Sequence, residues 1–87
     1  MSLKISLIIP AWNAENTISA CLLSAIKAKS SPIEIIVVDD LSQDSTVSIV
    51  HGLIKTYPRI KLLKLDKNIG PAAARNRGVE IAKGDII

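Results

Sequence analysis

Apolar and polar positions come in blocks along the chain, and the blocks alternate between two periods. "KISLII", Lys4 to Ile9, is short, apolar and β-branched, and predicts a strand that Pro10 stops. From Asn16 to Lys29, the residues Ile18, Leu22, Ala25 and Ile26 share one helical face. Asn13 or Asn16 is placed to cap that helix, and Ser30 to Pro32 breaks it. "IEIIVVD", Ile33 to Asp39, predicts a second strand, and Ile35 to Val38 shows no polar alternation, so this strand should be covered on both faces. Val47, Val50, Leu53, Ile54 and Tyr57 mark a second amphipathic helix, with Ser42 or Asp44 as its cap and Pro58 beyond its end. "IKLLKL", Ile60 to Leu65, predicts a third strand whose two lysines suit a sheet edge. Pro71 then suits the first turn of a third helix, Ala72 to Lys83, with Gly84 as its C-terminal stop, and "DII" opens a fourth strand. Strands alternating with helices imply an α/β layered fold around a parallel sheet, whose ligands bind at the carboxyl ends of the strands.

Composition narrows this picture. With 87 residues there is room for one small domain. Hydrophobic residues make up 48% of the chain, too many for a disordered tail. Trp12 and Tyr57 are the sole aromatics, so the core must be built from Ile, Leu, Val and Ala. The net charge of +3 suits an anionic small ligand as well as nucleic acid. No basic run interleaves with aromatics, however, which argues against nucleic acid. Cys21 is the single cysteine, set among apolar residues; it reads as a buried thiol, fits a reducing cytoplasm and excludes an internal disulfide. No apolar run reaches membrane-span length, and the opening stretch is too short for a signal peptide.

The chemistry gathers after the strands. The first strand leads into "PAWNAE", the second into "DDLSQDS" and the third into "DKNIGPAAARNRG". Asp39 and Asp40 close the most apolar segment, where they should lie at the rim of the core, since unpaired acids are costly inside it. One acid could serve the entry of the second helix, but Ser42 and Asp44 are already available for that. Trp12 offers a flat ring directly after a strand. Arg75 and Arg77 lie near the start of a helix, where positive charge opposes the dipole unless an anion faces it. Asn68, Gly70 and Pro71 read as a tight turn, and His51 as a helix-surface residue without metal partners. A stacking surface, a carboxylate acceptor and positive charge are what a nucleotide requires. Neither a GxGxxG loop, a GxxxxGK[ST] loop nor a GxSxG elbow is present.

In order and spacing, "SLIIPAWNAENTISACLLSAI", "IEIIVVDDLSQDST" and "NIGPAAARNRGVEIAKGDII" resemble the family 2 glycosyltransferases of the GT-A fold. The resemblance covers nearly the whole chain. With right-handed crossovers, it implies a Rossmann-like sheet of order 3-2-1-4 with helices on both faces, the N-terminal half of a GT-A fold. It implies a site for the nucleotide of a nucleotide sugar, usually UDP-linked. Pro10, Ala11 and Trp12 match the segment flanking the base, although the family more often has Tyr at the ring position. Glu15 matches an acidic position of the family. Asp40, with Asp39 beside it, matches the acceptor of the uracil N–H, and Arg75 and Arg77 fall in the segment nearing ribose and diphosphate.

The family pattern continues past "GDII" to a D-x-D motif that holds Mn²⁺ or Mg²⁺ on the diphosphate, and later to a base for the acceptor hydroxyl. Neither is in this chain. The resemblance therefore implies the nucleotide-binding part of an inverting glycosyltransferase, with no catalytic residue or metal of its own and no transfer unaided. An open sheet edge beside "SLII" should make the piece self-associate. Two other readings stand beside this one: a receiver-like signalling module, and a non-catalytic interaction module. A receiver would carry its acid pair after the first strand, not the second.

Overall fold

The computed structural model describes residues 4–28 and 31–87. Its strands are β1 (Ile5–Ala11), β2 (Glu34–Asp39), β3 (Ile60–Lys64) and β4 (Asp85–Ile86), and its helices are α1 (Ile18–Lys27), α2 (Thr46–Thr56) and α3 (Pro71–Ile81). The strands form one sheet of order β3-β2-β1-β4, parallel throughout.

Alternation along β2 divides the core. Ile35 and Val37 pack with Ile18 and Leu22 of α1 and Val50 of α2, while Ile36 and Val38 pack with Ile8 and with Ala74 of α3. All four central residues of β2 are fully buried, as an unalternated apolar strand requires. On the second face α3 presses tightly onto the sheet. A Cβ at Gly78 would stand 2.6 Å from the Ile8 side chain and 2.9 Å from that of Val38, so only glycine lets the helix approach this closely. Among the described residues no helix is long and apolar enough to cross a membrane.

Several local expectations are corrected. β1 does not stop at Pro10 but pairs with β2 through Ala11. Even-numbered residues of β1 turn their backbone groups to β4, as Ile8 does in donating to the Ile87 carbonyl. Pro10 turns the same way, so its missing N–H breaks no bond to β2. Helix α1 begins after Thr17, and neither Asn13 nor Asn16 is its N-cap. Its expected end at Lys29 lies outside the described residues; the helix itself closes at Lys27, where Ala28 turns extended. The N-cap of α2 is Ser45, although Asp44 still accepts the Thr46 N–H from one residue further out. Cys21 is exposed, on the solvent side of α1. Gly84 does not end α3, which stops at Ile81. Gly84 serves a close approach instead: a Cβ there would collide with the carbonyl of Lys4, just before β1.

One buried charge has no local signal in the sequence. Glu34, 2% exposed, accepts the Ser6 hydroxyl at 2.6 Å, the Lys83 N–H at 2.6 Å and the Lys61 ammonium at 2.7 Å. Ser6 in turn accepts the Gly84 N–H, so the cluster ties β1, β2, β3 and the α3–β4 turn together. Burial disfavours the charged carboxyl, but the bonds from Lys61, Ser6 and the Lys83 backbone outweigh it and bring its pKa from 4.5 to about 2. Stability from this network is complete above about pH 4.5 and fades as the pH falls towards 2. Because Lys61 is half-exposed, the contribution is about 1–2 kcal/mol. Glu34→Gln should lower neutral-pH stability by that amount and flatten the acid limb of a denaturation series between about pH 5 and 2. An unchanged slope would remove Glu34 from the acid response.

Candidate functional site

The three loops after β1, β2 and β3 meet at one edge of the sheet, and Asp40 joins them. Its N–H donates to the Ala11 carbonyl at 2.8 Å, and its own carbonyl accepts the Asn68 side-chain amide at 3.0 Å. Its carboxylate accepts the Ile69 N–H at 2.8 Å and the Gly70 N–H at 2.9 Å, one on each oxygen. Gly70, at φ 89°, makes the turn into α3 that aims these two amides back at β2.

Beside Asp40 the structure leaves an open cleft of about 180 Å³ lined by Pro10, Ala11, Trp12, Asp40 and Pro71. A second hollow of about 130 Å³ adjoins it, with Asn68 and Gly70 in its wall. Trp12 is 57% exposed, the largest apolar surface offered at this edge. An exposed indole, a buried carboxylate fixed by two amides and the start of a helix therefore share one concavity.

The acid pair does not lie at the rim of the core: Asp39 is 2% and Asp40 3% exposed. Strand alternation sends the two to opposite faces, which relieves their repulsion. Asp40 faces α3 and the cleft. Asp39 faces α1 and α2, accepts the Ser42 N–H at 3.0 Å, and keeps its Oδ1 buried without a hydrogen-bond partner among the described residues. Glu15 also lies off the cleft, its carboxylate accepting the Ser45 N–H at 3.0 Å. Arg75 and Arg77 are exposed on α3 and line neither hollow. Asn68, Gly70 and Pro71, read from the sequence as a turn, line the site as well as making the turn. Among the described residues no three His, Cys, Asp or Glu side chains gather to hold a metal ion, so no metal step is assigned to them.

The model of the family described as Glycosyl transferase family 2 matches residues 6–87. An uncharacterized glycosyltransferase of Haemophilus influenzae is 42% identical over 83 residues, 95% of this chain and 33% of its own length. A poly(ribitol-phosphate) beta-glucosyltransferase of Bacillus spizizenii is 40% identical over 88 residues, 98% of this chain and 14% of its own. Among solved structures, S. aureus TarS in complex with UDP-GlcNAc is 30% identical, has a TM-score of 0.81, and is matched over 98% of this chain and 25% of that one. The mannosyltransferase PcManGT of Pyrobaculum calidifontis, in complex with GDP-Man and Mn²⁺, is 28% identical with a TM-score of 0.83, over 97% of this chain and 26% of that one. The chain thus spans a third or less of each of these relatives. Its 3-2-1-4 parallel sheet is that of the N-terminal part of a GT-A fold. With the family pattern running from Ser6 to Ile87 and the same fold in sugar-nucleotide complexes, this chain belongs to glycosyl transferase family 2.

Proposed function

We propose that the chain is the nucleoside-diphosphate-binding part of an inverting glycosyltransferase that moves a sugar from a UDP-sugar to an acceptor hydroxyl. The observation that carries this is the cleft between Trp12 and Asp40. The indole supplies a face for the base, with Pro10 and Ala11 beside it. Each Asp40 oxygen already accepts one backbone N–H and retains a second lone pair, so the carboxylate can accept a base N–H without breaking its own supports. Beyond Pro71, the positive end of α3 favours the diphosphate, and Arg75 and Arg77 on the same helix add charge. Asp39 acts from behind, holding the turn after Asp40 through Ser42. In this reading the divalent metal and the acceptor base come from chain outside these 87 residues, and the 87 residues alone transfer no sugar.

Calorimetric titration with UDP, GDP and UDP-sugars, with and without Mn²⁺, tests the reading. It predicts saturable binding of UDP that changes little on adding the metal. Failure of the folded chain to bind any of these nucleotides would contradict it.

The same proposal extends to assembly. Ile86 and Ile87 leave apolar surface at β4, whose outer edge is unpaired among the described residues, and Val79 and Ile81 leave more on α3. A second copy should pair there. Sedimentation is expected to show self-association, and a monodisperse monomer at high micromolar concentration would refute it.

A further inference from the structure

The loops that wall the cleft are bonded directly to each other. Trp12 is followed by Asn13 at φ 47°, and Asp40 by Leu41 at φ 63°; these are the positive-φ non-glycine residues among those described. Asn tolerates left-handed backbone, but Leu41 does not, so the turn after Asp40 in particular needs support from outside itself. The support is mutual. The Asn13 N–H donates to Ser42 Oγ at 2.9 Å, and the Gln43 N–H donates to Asn13 Oδ1 at 2.8 Å. The Ala14 N–H donates to Thr46 Oγ1 at 2.8 Å and the Glu15 N–H to Asp44 Oδ2 at 3.2 Å. Glu15 closes the series by accepting the Ser45 N–H at 3.0 Å, at the N-cap of α2.

We infer that Asn13, Glu15 and Ser42 are positioning residues, which fasten the Trp12 loop to the start of α2 so that the indole stands beside Asp40 before ligand arrives. Trp12 itself is too exposed for packing to fix it. Its backbone, by contrast, is held on both sides, by β1 at Ala11 and by the bonded run from Asn13 to Glu15. A ring already in place is not ordered on binding, and affinity falls in proportion to the fraction of molecules that have it in place. On this account Glu15 acts through a hydrogen bond to backbone and not through its charge on the nucleotide. The binding arm of the inference rests on the nucleotide reading above; the positioning of Trp12 does not.

Trp12 is the chain's only tryptophan, so its fluorescence reports this loop alone. Time-resolved anisotropy and UDP affinity should be measured for wild type, Glu15→Ala, Ser42→Ala and Glu15→Gln, each below its own unfolding temperature. Glu15→Ala and Ser42→Ala should free the indole, seen as lower residual anisotropy, and raise the UDP Kd about five- to tenfold. Glu15→Gln keeps a side-chain carbonyl for the Ser45 N–H and should stay within about twofold of wild type in both readouts. Unchanged anisotropy in Glu15→Ala would overturn the inference. So would a freed indole with unchanged Kd, or a Glu15→Gln variant as impaired as Glu15→Ala. Absence of UDP binding by wild type would sink the nucleotide reading instead, while a fall in anisotropy would still support the fastening of Trp12.

Discussion

Asp40→Ala should weaken UDP binding about tenfold or more and lower thermal stability together. The binding loss is that of one charged hydrogen bond to the base, roughly 1.5–3 kcal/mol. The stability loss has a separate source. Ile69 and Gly70 would keep their N–H groups without the carboxylate that accepts both. Leaving a buried donor unpaired costs about 1–3 kcal/mol, so the turn into α3 should loosen. Asp40→Asn should fall between, since its one carbonyl oxygen can satisfy one of the two amides. Calorimetry and denaturant unfolding separate the two effects. Unchanged UDP affinity in a folded Asp40→Ala chain would refute the role given to this carboxylate.

Trp12→Ala should behave differently, with a large loss in binding and little in stability. Stacking of a base on an aromatic ring is worth about 1–3 kcal/mol, a loss of roughly five- to 150-fold in affinity. More than half of the Trp12 surface is already exposed, so little burial is lost with it. Trp12→Tyr keeps a stacking face and should bind within a few-fold of wild type. Calorimetry gives the affinities, and circular dichroism gives stability where the fluorophore is gone. Equal binding by Trp12→Ala and wild type would remove the indole from the site.

Most of the architecture was legible because it depends on period. The unbroken "IIVV" of β2 demanded cover on both faces, and Ile35 to Val38 are fully buried between the two helix layers. What escaped were bonds across long sequence separations. Pro10 reads locally as a strand stop; only the ladder register shows that its nitrogen faces away from β2. Glu34 in an apolar strand demands a partner, but the partners Ser6, Lys61 and Lys83 approach from three other segments. Gly84 follows a helix, so it resembles a C-cap, although its reason is the neighbouring carbonyl of Lys4. Of the site, Trp12 and Asp40 were legible as strand-end groups. That adjacent acids would part to opposite faces follows from strand alternation, and their burial from the amides that the Ile69–Gly70 turn and Ser42 supply.

The central claim is that a nucleotide base sits between Trp12 and Asp40. Amide and indole NMR signals of the 87-residue chain, followed through a UDP titration, test it most directly. The account predicts saturable shifts centred on the Trp12 indole N–H and on the Ile69 and Gly70 amides that Asp40 holds, with contacts between uracil protons and the indole ring. Shifts centred elsewhere, for example on the β3 edge around Lys61 and Lys64, or no shifts at all in a folded chain, would contradict it.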